Sequence, residues 1–298
     1  MHRRPEHEGR RRVGFLGPAG TFSEEALLAS GERDAIEPVG LASIYETVMA
    51  LRRGEVDYSI VPIENSLEGS ITVTLDLLAE EAQDTQIVGE AMLRVRHSLI
   101  GSADVALEEI ETVLSHPQVP GQCTTFLREQ LAHARVLAAS STAEAVREVA
   151  GRGDRSIAAL GTTLAAEIYG ASVLRDGVED RHDNETRFVW LARASEVEAP
   201  PLQAAGDGGW KSSVVFWGPG ADHAGWLVRC LDEFARREIN LTRIESRPRR
   251  LGMGDYMFFA DLAAGAVEQS VQDALAGLRS RCDHVRVLGS YHAALPSG

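Results

Sequence analysis

Thr186, Arg187 and Phe188 stand where a polar run, Asp180-Arg181-His182-Asp183-Asn184-Glu185, passes into an apolar strand, Val189-Trp190-Leu191. The junction puts a hydroxyl and a guanidinium at a strand mouth, where a small anionic ligand can sit. A guanidinium fork holds a carboxylate at two points, so Arg187 is the leading anchor for a substrate carboxylate. A surface salt bridge with Asp183 or Glu185 is the plain alternative. Phe188 packs under such a site rather than reacting.

Other segments also place polar residues just past a strand, the end where α/β sheets gather ligands. Gly17-Pro18-Ala19-Gly20-Thr21-Phe22-Ser23 sets a flexible turn before a helix start, with Thr21 and Ser23 as its polar side chains. The free N–H groups of that first turn can hold a carboxylate. A tight strand–helix turn explains the same residues, and no Gly-Lys-Ser/Thr follows to make a phosphate loop. Pro62-Ile63-Glu64-Asn65-Ser66-Leu67-Glu68-Gly69 brings three candidates together. Glu64 can exchange a proton and Asn65 can hydrogen-bond substrate oxygens, unless the run is only a polar loop capped by Ser66. Ser140-Ser141-Thr142-Ala143 opens another helix, either as a plain N-cap or with N–H groups facing a cleft. His116 has no Asp, Cys or Ser partner at a recognisable spacing and reads as a strand-end histidine.

The elements that must hold these residues follow from periodicity. Residues 13–16 read as a short buried strand. Thr21 and Glu24 have capping-box spacing, so a helix runs from there to about 30. Ser43 caps a second helix ending near Gly54, 56–62 is a strand, and 69–81 is helical. Residues 86–100 form a long extended segment that crosses into a second lobe. There, strands at 112–115, 135–139 and 156–160 alternate with helices at 117–131, 142–150 and 162–169. A strand at 188–194 returns to the first lobe. The alternation implies an α/β fold of two lobes with a ligand cleft between them. A stretch rich in Pro, Ala and Gly, 195–210, is a linker. Beyond it the order is βαββαβ, with strands at 212–217, 239–246, 256–262 and 285–291 and helices at 224–237 and 267–278, a ferredoxin-like unit. The expected domains are 12–194 and 211–293.

Composition narrows the function classes. The 298 residues are 44% hydrophobic and 25% charged, ordinary for a globular protein. No apolar run approaches the ~20 residues of a membrane helix, and residues 1–12 lack the apolar core of a signal peptide. Cys123, Cys230 and Cys282 have no metal or redox spacing and read as reduced cytoplasmic thiols. A net charge of −14 argues against a nucleic-acid partner. An anion site in such a chain must be locally positive, through arginines or helix N-termini.

The order Asn184-Glu185-Thr186-Arg187-Phe188 followed by a strand resembles the signature of prephenate dehydratases. Gly17 to Ser23, Pro62 to Gly69, and Glu245-Ser246-Arg247-Pro248 share the resemblance, in the family's order and across nearly the whole chain. It implies a two-lobed α/β catalytic domain, similar to type 2 periplasmic binding proteins, that converts prephenate to phenylpyruvate with release of carbon dioxide and water. No metal, nucleotide or flavin is required. Thr186 is the family's key residue and the implied hydrogen-bond partner of the departing ring hydroxyl. The proton itself comes from Glu64 or from a water chain. The family's His-Pro-Gln, followed four residues later by Gln-Cys, is kept at His116-Pro117-Gln118 and Gln122-Cys123, marking Ser115 and Gln122 as site residues. Val119-Pro120-Gly121 replaces a helix-friendly run between them. The resemblance also turns Ser141 and Thr142 toward the cleft. A dehydratase acting on arogenate and a non-enzymatic two-lobed anion-binding protein are the competing readings.

With Asn240-Leu241-Thr242 and Glu245-Ser246-Arg247-Pro248, the C-terminal unit resembles an ACT domain. That resemblance implies phenylalanine as effector at the interface of two such domains, and a homodimer or homotetramer. The implied effector residues are Gly225, Trp226, Leu227, Val228, Asn240, Leu241, Glu245, Ser246, Arg247 and Pro248. The family's usual Gly-Ala-Leu-Val is Gly225-Trp226-Leu227-Val228 here, so the tryptophan either fills part of the pocket or serves as ordinary packing. Arg243, Arg247, Arg249 and Arg250 read as a solvated or salt-bridged face rather than a nucleic-acid site.

Overall fold

The computed structural model describes residues 9–196, 200–202, 208–218, 220 and 223–295. The first lobe begins with β1 (Arg11–Leu16), α1 (Phe22–Ser30), β2 (Ile36–Leu41), α2 (Ile44–Arg52), β3 (Tyr58–Asn65), β4 (Gly69–Ser70) and α3 (Thr72–Asp76). Crossing strand β5 (Thr85–Arg94) leads to the second lobe. That lobe holds β6 (Ser98–Gly101), β7 (Thr112–Ser115), α4 (Thr124–Gln130), β8 (Arg135–Ala138), α5 (Thr142–Arg152), β9 (Ile157–Gly161), α6 (Thr163–Tyr169) and β10 (Ser172–Arg175). Return strand β11 (Glu185–Arg193) lies antiparallel between β3 and β5. The C-terminal unit follows as β12 (Trp210–Trp217), α7 (Trp226–Ala235), β13 (Leu241–Pro248), β14 (Tyr256–Leu262), α8 (Gln269–Arg279) and β15 (His284–His292). No helix among the described residues is long and apolar enough to cross a membrane.

The second lobe has its own five-stranded sheet, ordered β10-β6-β9-β7-β8. The first lobe and the C-terminal unit share one sheet, ordered β13-β14-β12-β15-β5-β11-β3-β1-β2 with β4 beside β3. The join is a single register pair, Gly289 with Ile87. A β-carbon at Gly289 would run into the Ile87 carbonyl, so the close approach requires glycine. The core is continuous across the join. Val48, Leu51, Val61, Val189 and Leu191 pack with Val215, Met257, Phe259, Leu288 and Tyr291.

The expected caps form. The Thr21 side chain accepts the Glu24 N–H, Ser43 accepts that of Glu46, and Ser141 accepts that of Glu144. Each satisfies a donor that the helix itself leaves open. The Glu24 carboxylate reaches back to the N–H of Gly20 rather than that of Thr21. Gly20 sits at φ +85°, and a β-carbon there would strike Ala165 of α6. Around this contact Thr162 Oγ1 donates to Gly20 O at 2.7 Å and the Tyr169 hydroxyl to Ala19 O at 2.8 Å. The two lobes thus meet closely at the turn that opens α1.

Three local expectations are corrected. The helix expected over 69–81 is broken into β4, α3 and a wide-turned segment, Leu77–Glu81. The helix expected from 117 starts only at Thr124, after a tight turn at Pro120–Gln122, because Pro120 and Gly121 disfavour an early α-turn. Strands β2 and β10 were not foreseen; both are sheet edges without clean apolar alternation. Much of the expected linker lies outside the described residues, but Leu202 bridges to Gly31 and packs on the first lobe. Cys230 and Cys282, far apart in sequence, bring their sulfurs to 3.8 Å.

Candidate active site

A cavity of about 390 Å³ opens between the lobes. Thr21, Phe22 and Ser23 line it from the start of α1, and Ser140, Ser141 and Thr142 from the start of α5. Both helix N-termini therefore offer backbone N–H groups and a partial positive charge to one space. Asn65 and Glu68 enter from the end of β3 and the turn after it, and Thr186 and Phe188 from β11. His97, from the crossing between β5 and β6, and His116, Gln118, Val119 and Gln122, from the end of β7, complete the polar wall with Asn184. Among the described lining residues there is no arginine or lysine. Glu68 is the acidic residue in this lining, so the groups here that can attract an anion are the helix N-termini and amide donors.

The polar side chains form one connected chain. The backbone N–H groups of Leu67 and Glu68 both donate to Asn65 Oδ1 at 2.9 Å. Asn65 Nδ2 donates to Asn184 Oδ1 at 2.8 Å and to Thr186 Oγ1 at 3.0 Å. Asn184 Nδ2 donates to Gln122 Oε1 at 3.2 Å, and His97 Nε2 lies 3.0 Å from the same oxygen. Gln122 Nε2 and Gln118 Nε2 donate to the Glu68 carboxylate at 3.3 and 2.7 Å. Burial holds the His97 imidazole below its ordinary pKa, outweighing the opposing pull of Gln122 and Glu179.

Thr186, Asn65, Gln122, Thr21, Ser23, Ser141, Thr142 and Phe188, all expected site residues, meet at this cavity. Four residues do not. Arg187 is corrected from a substrate anchor to an internal ion-pair residue. Its side chain is 7% exposed, with Nε 2.7 Å from Glu90, Nη1 2.6 Å from Asp261 and Nη2 2.8 Å from the Tyr291 hydroxyl. Burial opposes the charged guanidinium, but Tyr291, Asp261 and Glu90 outweigh it and hold the pKa well above its ordinary value. Glu64 also lies off the cavity, 3.6 Å from Arg187 Nη1 and 3.5 Å from Arg243 Nε. Ser66 Oγ accepts the Glu185 N–H at 3.0 Å and ties the turn after β3 to the start of β11. Ser115 is buried, and its hydroxyl donates to the His116 carbonyl at 3.2 Å.

Sequence reasoning missed His97, Glu68, Gln118 and Asn184 and assigned His116 no site role. The Asn184 signal was present, because it opens the motif that ends in Phe188. His97 carried only a weak one, a lone polar ring in an extended crossing segment. Among the described residues no three His, Cys, Asp or Glu side chains cluster to hold a metal ion.

A family model for prephenate dehydratase matches residues 13–196. Prephenate dehydratase of Amycolatopsis methanolica is 40% identical over 287 residues, covering 95% of this chain and 89% of the relative. The chain belongs to the prephenate dehydratase family. Prephenate dehydratase of Arthrobacter aurescens in complex with L-Phe superimposes with a TM-score of 0.84 at 35% identity, over 96% of this chain and 92% of that one. GqqA, described as a novel type of quorum quenching acylase, superimposes with a TM-score of 0.80 at 26% identity, over 95% and 98%.

The effector residues implied by the family lie around the C-terminal unit. Trp226 is 5% exposed and packs with Phe216 and Phe258, while its Nε1 donates to Arg281 O at 3.0 Å. The ring is core packing. Gly225, Val228 and Asn240 are exposed, and Leu227 and Leu241 half-buried. Within Glu245-Ser246-Arg247-Pro248, alternate residues part. The Ser70 hydroxyl donates to Glu245 at 2.9 Å and Arg247 Nη2 to Asp76 at 2.9 Å, whereas Ser246 and Pro248 are exposed. Arg250 also reaches Asp76, and Arg249 pairs with Asp255 and lies over the Trp217 ring. The basic stretch is a salt-bridged face.

Proposed function

We propose that the cleft dehydrates and decarboxylates prephenate to phenylpyruvate. The observation that carries the reading is a hydroxyl, Thr186 Oγ1, opening into a cavity lined by two helix N-termini. The N–H groups at the starts of α1 and α5 receive the two carboxylates of the dianion. The electron pair of the bond to the departing ring carboxylate moves into the ring, carbon dioxide leaves, and the ring hydroxyl departs with the C–O bonding pair. Thr186 donates a hydrogen bond to that oxygen as charge develops, and one proton from water completes the departing water. Such help is worth about 10²–10⁴-fold, and holding both carboxylates contributes further.

An acylase reading needs a nucleophile beside a base. The Thr186 hydroxyl instead faces the Asn65 amide, and the Thr21 hydroxyl donates to Leu16 O at 2.8 Å. The test is a steady-state assay with prephenate and arogenate in parallel, read as phenylpyruvate and phenylalanine formed, with and without a chelator. Prephenate is expected to be the better substrate, with turnover unchanged by the chelator. Failure to form either product would end the dehydratase reading.

The C-terminal unit, 211–293, serves as an ACT regulatory domain to the 12–194 catalytic domain, and phenylalanine is its effector. Its βαββαβ order and the L-Phe held by the Arthrobacter relative support this. Pairing of these units makes a homodimer or homotetramer. Strand β13 is a sheet edge exposing Ile244, and α7 exposes Val228, which a second copy can cover. A monomer by light scattering, with and without phenylalanine, would refute the assembly. A cytoplasmic location fits such a biosynthetic role.

A further inference from the structure

The hydrogen bonds around Asn65 have only one consistent direction. An amide oxygen accepts and an amide nitrogen donates. Leu67 N–H and Glu68 N–H both point at one atom of the Asn65 amide, so that atom is the oxygen. Its Nδ2 is then a donor to all three acceptors in reach, and its two hydrogens go to the nearer pair, Asn184 Oδ1 at 2.8 Å and Thr186 Oγ1 at 3.0 Å, rather than to the Glu185 carbonyl at 3.3 Å. The rest follows in turn. Asn184 must present Nδ2 to Gln122, Gln122 must present Oε1 to both Asn184 and His97, and Gln122 Nε2 turns to Glu68. His97 closes the chain and can only donate there, which fixes its neutral ring as the Nε2–H tautomer. Its Nδ1 is buried without a hydrogen-bond partner, the state of a bare lone pair. Amide orientation is thus dictated by two backbone N–H groups and not by a choice between equivalent flips.

The consequence falls on Thr186. A hydroxyl has one hydrogen, and Asn65 occupies Oγ1 as a donor, so the Thr186 hydrogen cannot point back along the chain. We infer that Asn65, with Asn184, Gln122 and His97 behind it, acts as a positioning residue that holds the Thr186 hydroxyl as an obligatory donor into the cleft. The inference rests on the dehydratase reading and deepens it. A threonine hydroxyl is a weak acid, and its value here is as a pre-aimed dipole that needs no reorientation when the leaving oxygen gains charge. His97 serves the chain without acting as the acid, since its one hydrogen is already given to Gln122.

The test is Asn65→Asp. The introduced carboxylate keeps the bonds from Leu67 and Glu68 but presents an oxygen where the amide nitrogen stood. The Thr186 hydroxyl then donates to that oxygen and turns from the substrate. The turnover rate should fall by about 10²-fold or more, while KM moves by less than about threefold. Lowering the pH should restore part of the rate in this variant alone, because the introduced carboxyl, once protonated, again carries a hydrogen for Thr186. A loss that is independent of pH, or no loss, overturns the inference. His97→Gln, which keeps an N–H near the Gln122 oxygen, should retain at least tenfold more turnover than His97→Leu; equal rates in the two overturn it. One measurement stands whether or not the variants fold. Nitrogen-15 spectra of the unaltered protein should show His97 neutral with the proton on Nε2, and an Nδ1–H tautomer would reverse the chain and refute it. Absence of prephenate turnover in the unaltered protein removes the dehydratase reading and the catalytic part of this inference, whereas turnover with an unresponsive Asn65→Asp removes the inference alone.

Discussion

Thr186 and Arg187 are consecutive on β11, yet the Thr186 hydroxyl opens into the cleft while the Arg187 guanidinium lies 2.6 Å from Asp261 of the C-terminal unit. Their register partners on β3 divide the same way. Asn65 opposes Thr186 and lines the cleft, and Glu64 opposes Arg187 and faces Arg243. Successive side chains on a strand point to opposite faces of a sheet. Two strands therefore form a partition with the cleft on one side and the C-terminal unit on the other. A shift of either strand moves both faces at once, which is the route the proposed effector coupling would take.

Arg187→Leu should act first on stability. The substitution leaves the Glu90 and Asp261 side chains, 1% and 5% exposed, buried without their cation. Breaking one side of such a pair costs about 3–5 kcal/mol. Lys211 still pairs with Glu90 at 2.7 Å and softens the loss on that carboxylate. Denaturant unfolding should show the drop, while KM for prephenate changes by less than about threefold. A large rise in KM at unchanged stability would return Arg187 to the role of substrate anchor.

The same network should set the acid limit of the protein. Burial raises the Asp261 pKa, but the Arg187 guanidinium and the Ser213 hydroxyl pull it further the other way, leaving it below its ordinary value. A carboxyl depressed in the folded state contributes fully above its unfolded pKa of about 3.9 and loses that contribution as pH falls through the folded value. In that window the unfolded chain binds more protons, so stability rises with pH. Asp261→Asn should be less stable near neutrality and show a shallower loss below about pH 4. Denaturation curves across that range check it; parallel curves for the two proteins would contradict it.

Much of this was legible beforehand. The segments that line the cleft were named from strand-end polar runs and caps, and the Thr21 and Ser141 caps form as their spacing implied. The placements of Arg187 and Glu64 share one physical origin. Placing both Thr186 and Arg187, or both Glu64 and Asn65, in one site ignores the two-residue period of a strand, which the sequence already contained. What no local pattern could supply is the partner on the far side. Arg187 finds Asp261 and Tyr291 only because β15 meets β5 at Gly289. His97 was unreadable for a similar reason, since its role depends on Gln122 from another strand end.

Trp226→Ala should destabilise the C-terminal unit rather than sharpen effector binding. The indole packs with Phe216 and Phe258, beside Cys230 and Phe234 of its own helix. Truncating a buried tryptophan to alanine costs about 3–5 kcal/mol, and the Arg281 carbonyl loses its donor. Thermal unfolding should report an earlier loss of the C-terminal unit. Tighter phenylalanine binding at unchanged stability, by calorimetry, would place the ring in a ligand pocket instead.

Glu64→Gln separates a proton donor from a coupling residue. The carboxylate lies off the cavity, 3.6 Å from Arg187 and 3.5 Å from Arg243, on the face that meets the C-terminal unit. Its side chain is 37% exposed, so screening limits the electrostatic contribution to stability. The substitution preserves shape and removes only the charge that links β3 to Arg187 and Arg243. Turnover without effector should stay within about threefold, in contrast to Thr186→Val, which removes the donor and should cost about 10²-fold or more. The response to phenylalanine should weaken, because a coupling of about 1–3 kcal/mol is carried by contacts of this kind. Rate measurements with and without phenylalanine on both variants decide the matter. If Glu64→Gln loses turnover as severely as Thr186→Val while its unfolding curve is unchanged, Glu64 supplies the proton after all, and β3 must turn that residue into the cleft during the reaction.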